Sequence, residues 1–191
     1  ALGSREFDVV ANFIAFTPEQ VQVDIDLFAG RTGQYVFISS ASAYQTPPAN
    51  LPIRESTPLD NPVWVYSRNK IACEELLLHA YRERKFPFTV VRPSHTYAPG
   101  YLPTPGGYTV LHRMLHDKPV MIHGDGSSIW TLTHTRDFAV GFVGLLGNSR
   151  AIGETFHITN DEWLTWNQIY QLIGRAAGVE PQIMHVPSDL I

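Results

Sequence analysis

The sequence predicts an α/β fold built on a parallel sheet, and three observations carry that prediction. Short runs rich in β-forming apolar residues, "FDVVANFIAF", "QYVFISS" and "FTVVRPS", recur along the first half of the chain. Segments of helical period separate them. The runs are nearly continuous in apolar residues instead of alternating, as expected of strands buried on both faces by crossover helices.

The elements follow in order. After the first run, Thr17 is a capping residue, Pro18 suits a first turn, Glu19 lies near the positive end, and "AGRTG" stops the helix. Leu27 and Phe28 are expected to face the core. "QYVFISS" gives a second strand that ends in Ser39 and Ser40. The next helix runs from Tyr66 to Arg84 and stops before Pro87, with Ile71, Leu76, Leu77, Leu78 and Tyr81 as its apolar stripe. "FTVVRPS" is the third strand. Beyond "YAPGYLPTPGG", a long loop of the kind that often carries function, the pattern is mixed. It reads as a helix around Tyr108 to His116, a strand "PVMIHG", a helix "TRDFAVGFVGLL", a strand "ETFHIT", a helix "TWNQIYQLIGRAAG" capped by Thr165, and a strand "QIMHVP". The expected division is residues 1–100 as the main sheet domain and 101–191 as a smaller mixed α/β portion, with some of its strands returning to the main sheet.

Composition bounds the class. At 191 residues, with 44% hydrophobic and 17% charged, the chain suits one globular domain with a small appended lobe. A net charge of -4 and the lack of any lysine or arginine run disfavour nucleic acid as a partner. The single cysteine, Cys73, lies within the apolar pattern of "IACEELLL" and reads as a buried thiol in a reducing compartment, the cytoplasm. The apolar runs are too short to cross a bilayer, so a soluble protein without a membrane partner is expected. Both ends read as cut: "ALGSREFDVV" resembles the tail of a preceding helix, and "VPSDLI" ends on capping residues Ser188 and Asp189.

The chemistry starts from "WVYSRNK", which places Tyr66 four residues before Lys70 on one helix face. A free tyrosine ionises near pH ~10, and a nearby cation is one way to bring it toward neutral pH. Spacing alone is a weak signal, because Tyr81 and Lys85 repeat it with nothing else around them. Position adds to it. Ser39 and Ser40 lie at the carboxyl end of a parallel strand, where open α/β sheets place ligands, and "VVRPSHTY" ends the next strand at the same edge.

Other candidates read more plainly. His112 and His116 have a helical zinc spacing without the glutamate of a metalloprotease and are expected to be a surface pair; no metal site is expected. Of His95, His123, His134 and His157, only His95 falls in the proposed crevice. Trp163 and Trp166 are expected to staple a helix start. "GDG" at 124–126 is a turn.

The ordered set "SSASAY", "YSRNK", "RPSHTYAPG" and "GDGSSIWTLTHTRDFA" resembles the extended short-chain dehydrogenase/reductase proteins, the NAD-dependent epimerase/dehydratase family. The resemblance covers most of the chain. It implies a Rossmann-like sheet whose first strands are missing, NAD or NADP as cofactor, and a small-molecule substrate related to sugars. By it, Ser40 would hydrogen-bond the reacting oxygen, Tyr66 would exchange its proton, and Lys70 would lower the tyrosine's pKa and hold the nicotinamide ribose. Phe13, Ala15, Ser39, Lys70, Pro93 and His95 would line the cofactor.

Three departures shape the expectation. No G-x-G-x-x-G is present, so roughly 60 to 75 residues of two βα units and part of a third would be missing, with the adenosine half of the cofactor site. The first run would then leave a bare sheet edge, and a homo-oligomer formed through that edge is expected. Trp130 stands where relatives that act on nucleotide sugars carry a diphosphate-binding arginine, which points away from such a substrate and toward an atypical branch that includes plastid RNA-binding relatives. The alternatives to an enzyme are a non-catalytic binding protein with an RNA or protein partner, and a fragment without function.

Overall fold

The computed structural model describes residues 2–190. In chain order the elements are β1 (Val10–Asn12), α1 (Pro18–Phe28), β2 (Tyr35–Ile38), α2 (Val65–Arg84), β3 (Phe88–Pro93), β4 (His95–Tyr97), α3 (Tyr108–Leu115), β5 (Val120–His123), β6 (Ile129–Trp130), β7 (Leu132–His134), α4 (Thr135–Leu145), β8 (Thr155–Ile158), β9 (Leu164–Thr165), α5 (Trp166–Ala177) and β10 (Ile183–Val186). They form two compact units. One runs to Ser94 and takes in Phe138–Ile158; the other comprises His95–Asp137 and the residues from Thr159 onward.

The first unit is a four-stranded parallel sheet in the order β1-β2-β3-β8. The period of two in "YVFI" sends Tyr35 and Phe37 into a core with Val21 and Ile25 of α1 and Cys73 and Leu77 of α2. Val36 and Ile38 face the other way, onto Phe138, Phe142 and Leu145 of α4. Both faces of the strands are therefore covered, which is why they read as continuous apolar runs.

The first run yields a strand of only 3 residues. After it, Asn12 Oδ1 accepts hydrogen bonds from the backbone amides of Ile14 and Ala15 at 2.8 and 2.7 Å, turning the chain out of the sheet. Helix α1 carries the expected capping box at Thr17, completed by Gln20. Its buried residues are Val21 and Ile25, while Leu27 is exposed at the end of the helix; Phe28 packs against the core as expected.

Helix α2 departs further from its expected stripe. Its buried face is Ser67, Lys70, Cys73, Glu74, Leu77 and Ala80, and Leu78 points outward. Polar residues hold core positions because each has a polar partner, an arrangement that apolar periodicity cannot register.

The second unit holds three two-stranded sheets, β10 with β5, β4 with β7, and β6 with β9. Its core gathers Val110, Met114, Val120, Ile122, Trp166, Ile169 and Tyr170. Thr165 caps α5 with Gln168 as the return partner. Trp163, however, is exposed, and Leu164 joins the core in its place, because Leu164 is the residue that precedes the cap. The "GDG" turn needs its second glycine: Gly126 has φ +71, and a Cβ there would meet the Asn167 side chain at 2.3 Å.

Candidate functional site

The site is assembled at the carboxyl ends of β1 and β2 and the start of α2, all within the first unit. Leaving β2, Ser40 begins a short 3-10 turn, Ala41–Ala43, and its Oγ accepts from the Ser42 amide at 3.2 Å. Ser40 Oγ and Ser42 Oγ are 2.9 Å apart, and Ser67 Oγ donates to Ser42 Oγ at 2.8 Å. Asn61 holds the turn from below, donating from Nδ2 to Ser42 O at 2.9 Å. Asn61 Oδ1 also accepts from the amides of Val63 and Trp64, which fixes the entry to α2.

Tyr66 lies beside this chain of hydroxyls, near enough for the Ser40 hydroxyl to draw its pKa down against the effect of burial. Its ring is flanked by Trp64, with centroids 4.7 Å apart, and by Phe16, at 6.1 Å. One turn further on, Lys70 is almost wholly buried. Its Nζ donates to Ala15 O and Ile38 O, each at 2.7 Å, and lies 4.8 and 4.6 Å from the ring centroids of Phe16 and Phe37. The lysine thus ties together the chain leaving β1 and the chain leaving β2. An ammonium has three N–H donors, so these two carbonyls leave one for a further acceptor.

Lys70 Nζ is 5.7 Å from the Tyr66 ring centroid; burial pushes the phenol's ionisation upward, and the nearby Ser40 hydroxyl opposes that shift only in part. Burial also pulls the Lys70 ammonium down to about 8, against the raising effect of Cys73 and Glu74. The lysine is a buried donor to two backbone oxygens.

Ser39, next to Ser40, faces the interior. Its hydroxyl donates to Glu74 Oε1, and Glu74 is paired with Arg92, whose Nε lies 3.0 and 3.2 Å from the two carboxylate oxygens. Ala15 is buried, with its carbonyl on Lys70, whereas Phe13 is exposed and meets Phe142 edge-on at 5.2 Å. Pro93 ends β3, half-buried opposite Ile158. His95 opens β4 in the second unit, where its Nδ1 accepts from Trp130 Nε1 at 3.0 Å.

The other repeat of the Tyr/Lys spacing has a structural explanation. Lys85 caps α2 in the left-handed region at φ 57, and Tyr81 packs edge-on against Phe88 at 5.6 Å. His112 and His116 stack at 4.2 Å, with His116 Nδ1 2.8 Å from His112 O.

Sequence reasoning missed Ser42, Asn61, Trp64, Ser67, Glu74 and Arg92. Two signals for them were present: Ser67 follows Tyr66, and Glu74 lies four residues beyond Lys70 on the same helix face.

The residues fit a nicotinamide ribose in one respect, the remaining donor of Lys70 beside exposed aromatic surface at the sheet's carboxyl edge. A four-stranded parallel sheet covered by helices on both faces is a Rossmann-like fold. The chain belongs to the NAD dependent epimerase/dehydratase family, whose sequence pattern matches residues 25–159.

Among relatives, it is 28% identical over 187 residues to the chloroplast stem-loop binding protein of 41 kDa b from Arabidopsis thaliana, covering 97% of this chain and 47% of that protein. It is 26% identical to the 2'-dehydrokanamycin reductase of Streptomyces kanamyceticus, covering 95% of this chain and 52% of that one. The chain therefore spans about half the length of these relatives. Its fold matches the dTDP-glucose 4,6-dehydratase of Bacillus anthracis, solved in complex with NAD, with a TM-score of 0.77 at 21% identity over 94% of this chain and 60% of that one.

Proposed function

We propose that this chain supplies the acid–base groups of an NAD- or NADP-dependent hydride transfer at a hydroxyl or carbonyl carbon of a sugar-related small molecule, as an epimerase, dehydratase or reductase. The observation that carries the proposal is the placement of Tyr66 beside buried Lys70 and the Ser40–Ser42–Ser67 cluster of hydroxyls at the carboxyl edge of a parallel sheet. Ser40 orients the reacting oxygen. Tyr66 gives or takes the proton at that oxygen, and the hydroxyls of Ser42 and Ser67 hold Ser40 in place. Lys70 offers its remaining N–H to a ribose hydroxyl and keeps the two strand ends at a fixed separation. Phe13, Ala15 and Pro93 would line the nicotinamide side, and Ser39 would contribute through its backbone. When bound, the nicotinamide accepts or donates the hydride. A reducing, cytoplasmic setting agrees with the buried free thiol of Cys73.

Binding of the dinucleotide by this chain is expected to be weak, because the 191 residues hold no glycine fingerprint for the pyrophosphate. Calorimetric titration with NAD and NADP tests this reading. Weak saturable heat, lost in Tyr66→Phe and Lys70→Ala, is the expected result. A low-micromolar Kd would refute the incompleteness, and heat unchanged in both variants would refute the site. Self-association through the free side of β1 is the companion proposal, and a monomer by light scattering at high concentration counts against it.

The second reading is a non-catalytic binding protein, favoured by the similarity to a plant protein named for stem-loop binding. The net charge of -4 argues against an RNA partner. Filter binding of a stem-loop RNA across a salt series separates the two, since phosphate contacts give a steep salt dependence.

A further inference from the structure

We propose that Ser67 is a positioning residue for Ser40: Ser67, Ser42 and Ser40 form a one-way line of hydroxyl donors that commits the Ser40 proton to the oxygen reacting beside Tyr66. The role rests on the hydride-transfer reading above and adds to it the polarity of the site.

Protons and lone pairs fix the direction. A hydroxyl has one proton to give and two lone pairs to receive. Ser67 lies in the first turn of α2, with no earlier helical turn whose carbonyl can draw its proton back, and it donates to Ser42 Oγ at 2.8 Å. Besides Ser67, the hydroxyl partner of Ser42 among the described residues is Ser40 Oγ, 2.9 Å away. With Ser40 as the donor, Ser42 Oγ would accept twice and its own proton would have no protein acceptor. With Ser42 as the donor, every proton in the line is used. Ser40 Oγ also accepts from the Ser42 amide at 3.2 Å. Both of its lone pairs are then filled, and its own proton is free to point out of the turn.

The surrounding frame holds this order. Asn61 is buried; its Nδ2 donates to Ser42 O while its Oδ1 takes the amides of Val63 and Trp64. The turn that carries Ser40 and the helix start that carries Tyr66 and Ser67 are thereby joined. Ser67 is wholly buried, so the line ends inside the protein and has no outlet to water. Such a line polarises a donor instead of conducting a proton, and hydrogen bonds in series strengthen one another by about 10–30% each.

The polarity assigns the proton path. A serine with both lone pairs occupied does not take a proton from a substrate hydroxyl; it donates to the reacting oxygen in the alcohol and carbonyl forms alike, and the substrate proton goes to Tyr66. Removing the Ser67 hydroxyl frees a lone pair on Ser42, and Ser40 can then turn its proton inward.

The test is a double-mutant cycle read on the ionisation of Tyr66 in this chain, with no nicotinamide added. Wild type, Ser67→Ala, Ser40→Ala and the double variant are each titrated by ultraviolet difference against the same protein carrying Tyr66→Phe. Ser67→Ala is expected to raise the Tyr66 midpoint by about 0.3–0.5 pH, a roughly twofold to threefold weaker acid. Ser67→Thr, which keeps the hydroxyl, should restore the midpoint, and Ser42→Ala, which cuts the same line from the turn, should raise it. Once Ser40→Ala is present, Ser67→Ala should add nothing. The proposal is overturned if Ser67→Ala leaves the midpoint in place, or if it raises the midpoint equally with and without the Ser40 hydroxyl, the mark of altered packing alone. These outcomes are independent of dinucleotide binding, so titration with NAD and NADP judges the hydride-transfer reading separately.

Discussion

Arg92 and Glu74 form an ion pair inside the first unit, with both side chains more than nine-tenths buried. Ser39 donates to the same carboxylate, and Arg92 Nη1 donates to the backbone oxygen of Glu55 at 3.2 Å. The Arg92 guanidinium also lies over the Tyr44 ring, 4.8 Å from its centroid. The pair joins α2 to β3 directly behind the residue that precedes Ser40, so it fixes the floor on which the site is built.

Removing one partner strands the other charge. Glu74→Ala is expected to destabilise the chain by about 3–5 kcal/mol, the usual cost of an uncompensated buried charge, whereas Ser39→Ala should cost only about 1–2 kcal/mol. Urea denaturation compares the two. Equal effects would mean that Arg92 finds another partner.

Lys70 gives a pH dependence whose sign can be worked out. Its pKa is about 8 in the fold against 10.5 for the ordinary group. Below pH 8 the lysine is charged in both states and the full burial penalty applies, up to about 3 kcal/mol. Between 8 and 10.5 the unfolded chain binds more protons than the folded one, so the penalty is relieved as pH rises. Relative to Lys70→Met, the wild-type chain should gain stability between pH 7 and pH 9.5, measured by thermal or urea unfolding at each pH. A difference that is flat or falls across this window would contradict the buried charge.

Tyr66 should ionise above the free tyrosine range in this chain, since burial raises its pKa and the nearby Ser40 hydroxyl only partly offsets the shift. The ultraviolet difference titration of wild type against Tyr66→Phe isolates its phenol. Titration of that phenol below the free tyrosine value would show that Lys70 acts on it after all.

The Cys73 thiol is buried and pushed up to about 11, chiefly by burial. Since the thiolate is the reactive form, alkylation at neutral pH should proceed only through unfolding and should track urea concentration. Fast labelling of the native chain would place Cys73 at the surface.

The fold was legible because its signals are local. Apolar strand runs, the Thr17 and Thr165 caps and proline and glycine punctuation reappear as α1, α2, α5 and the parallel sheet. Strands β4, β6, β7 and β9 were not legible: they have 2 or 3 residues each, too few to show a period. Tyr66 and Lys70 share a helix face four residues apart, and Ser40 ends a strand, so these candidates rest on features of the chain itself together with the family resemblance.

By itself, then, the sequence determined the α/β class and the parallel strands, since each depends on neighbours within a few turns, and it offered Ser40, Tyr66 and Lys70 as candidates through a family resemblance. Tertiary structure alone decided where Lys70 directs its ammonium, what holds Ser39, and that Trp130 donates to His95. The physical reason is that a buried polar group is settled by whichever partner the fold brings within about 3 Å, and those partners lie 35 residues away for Ser39 and His95 and 55 for Lys70 and Ala15.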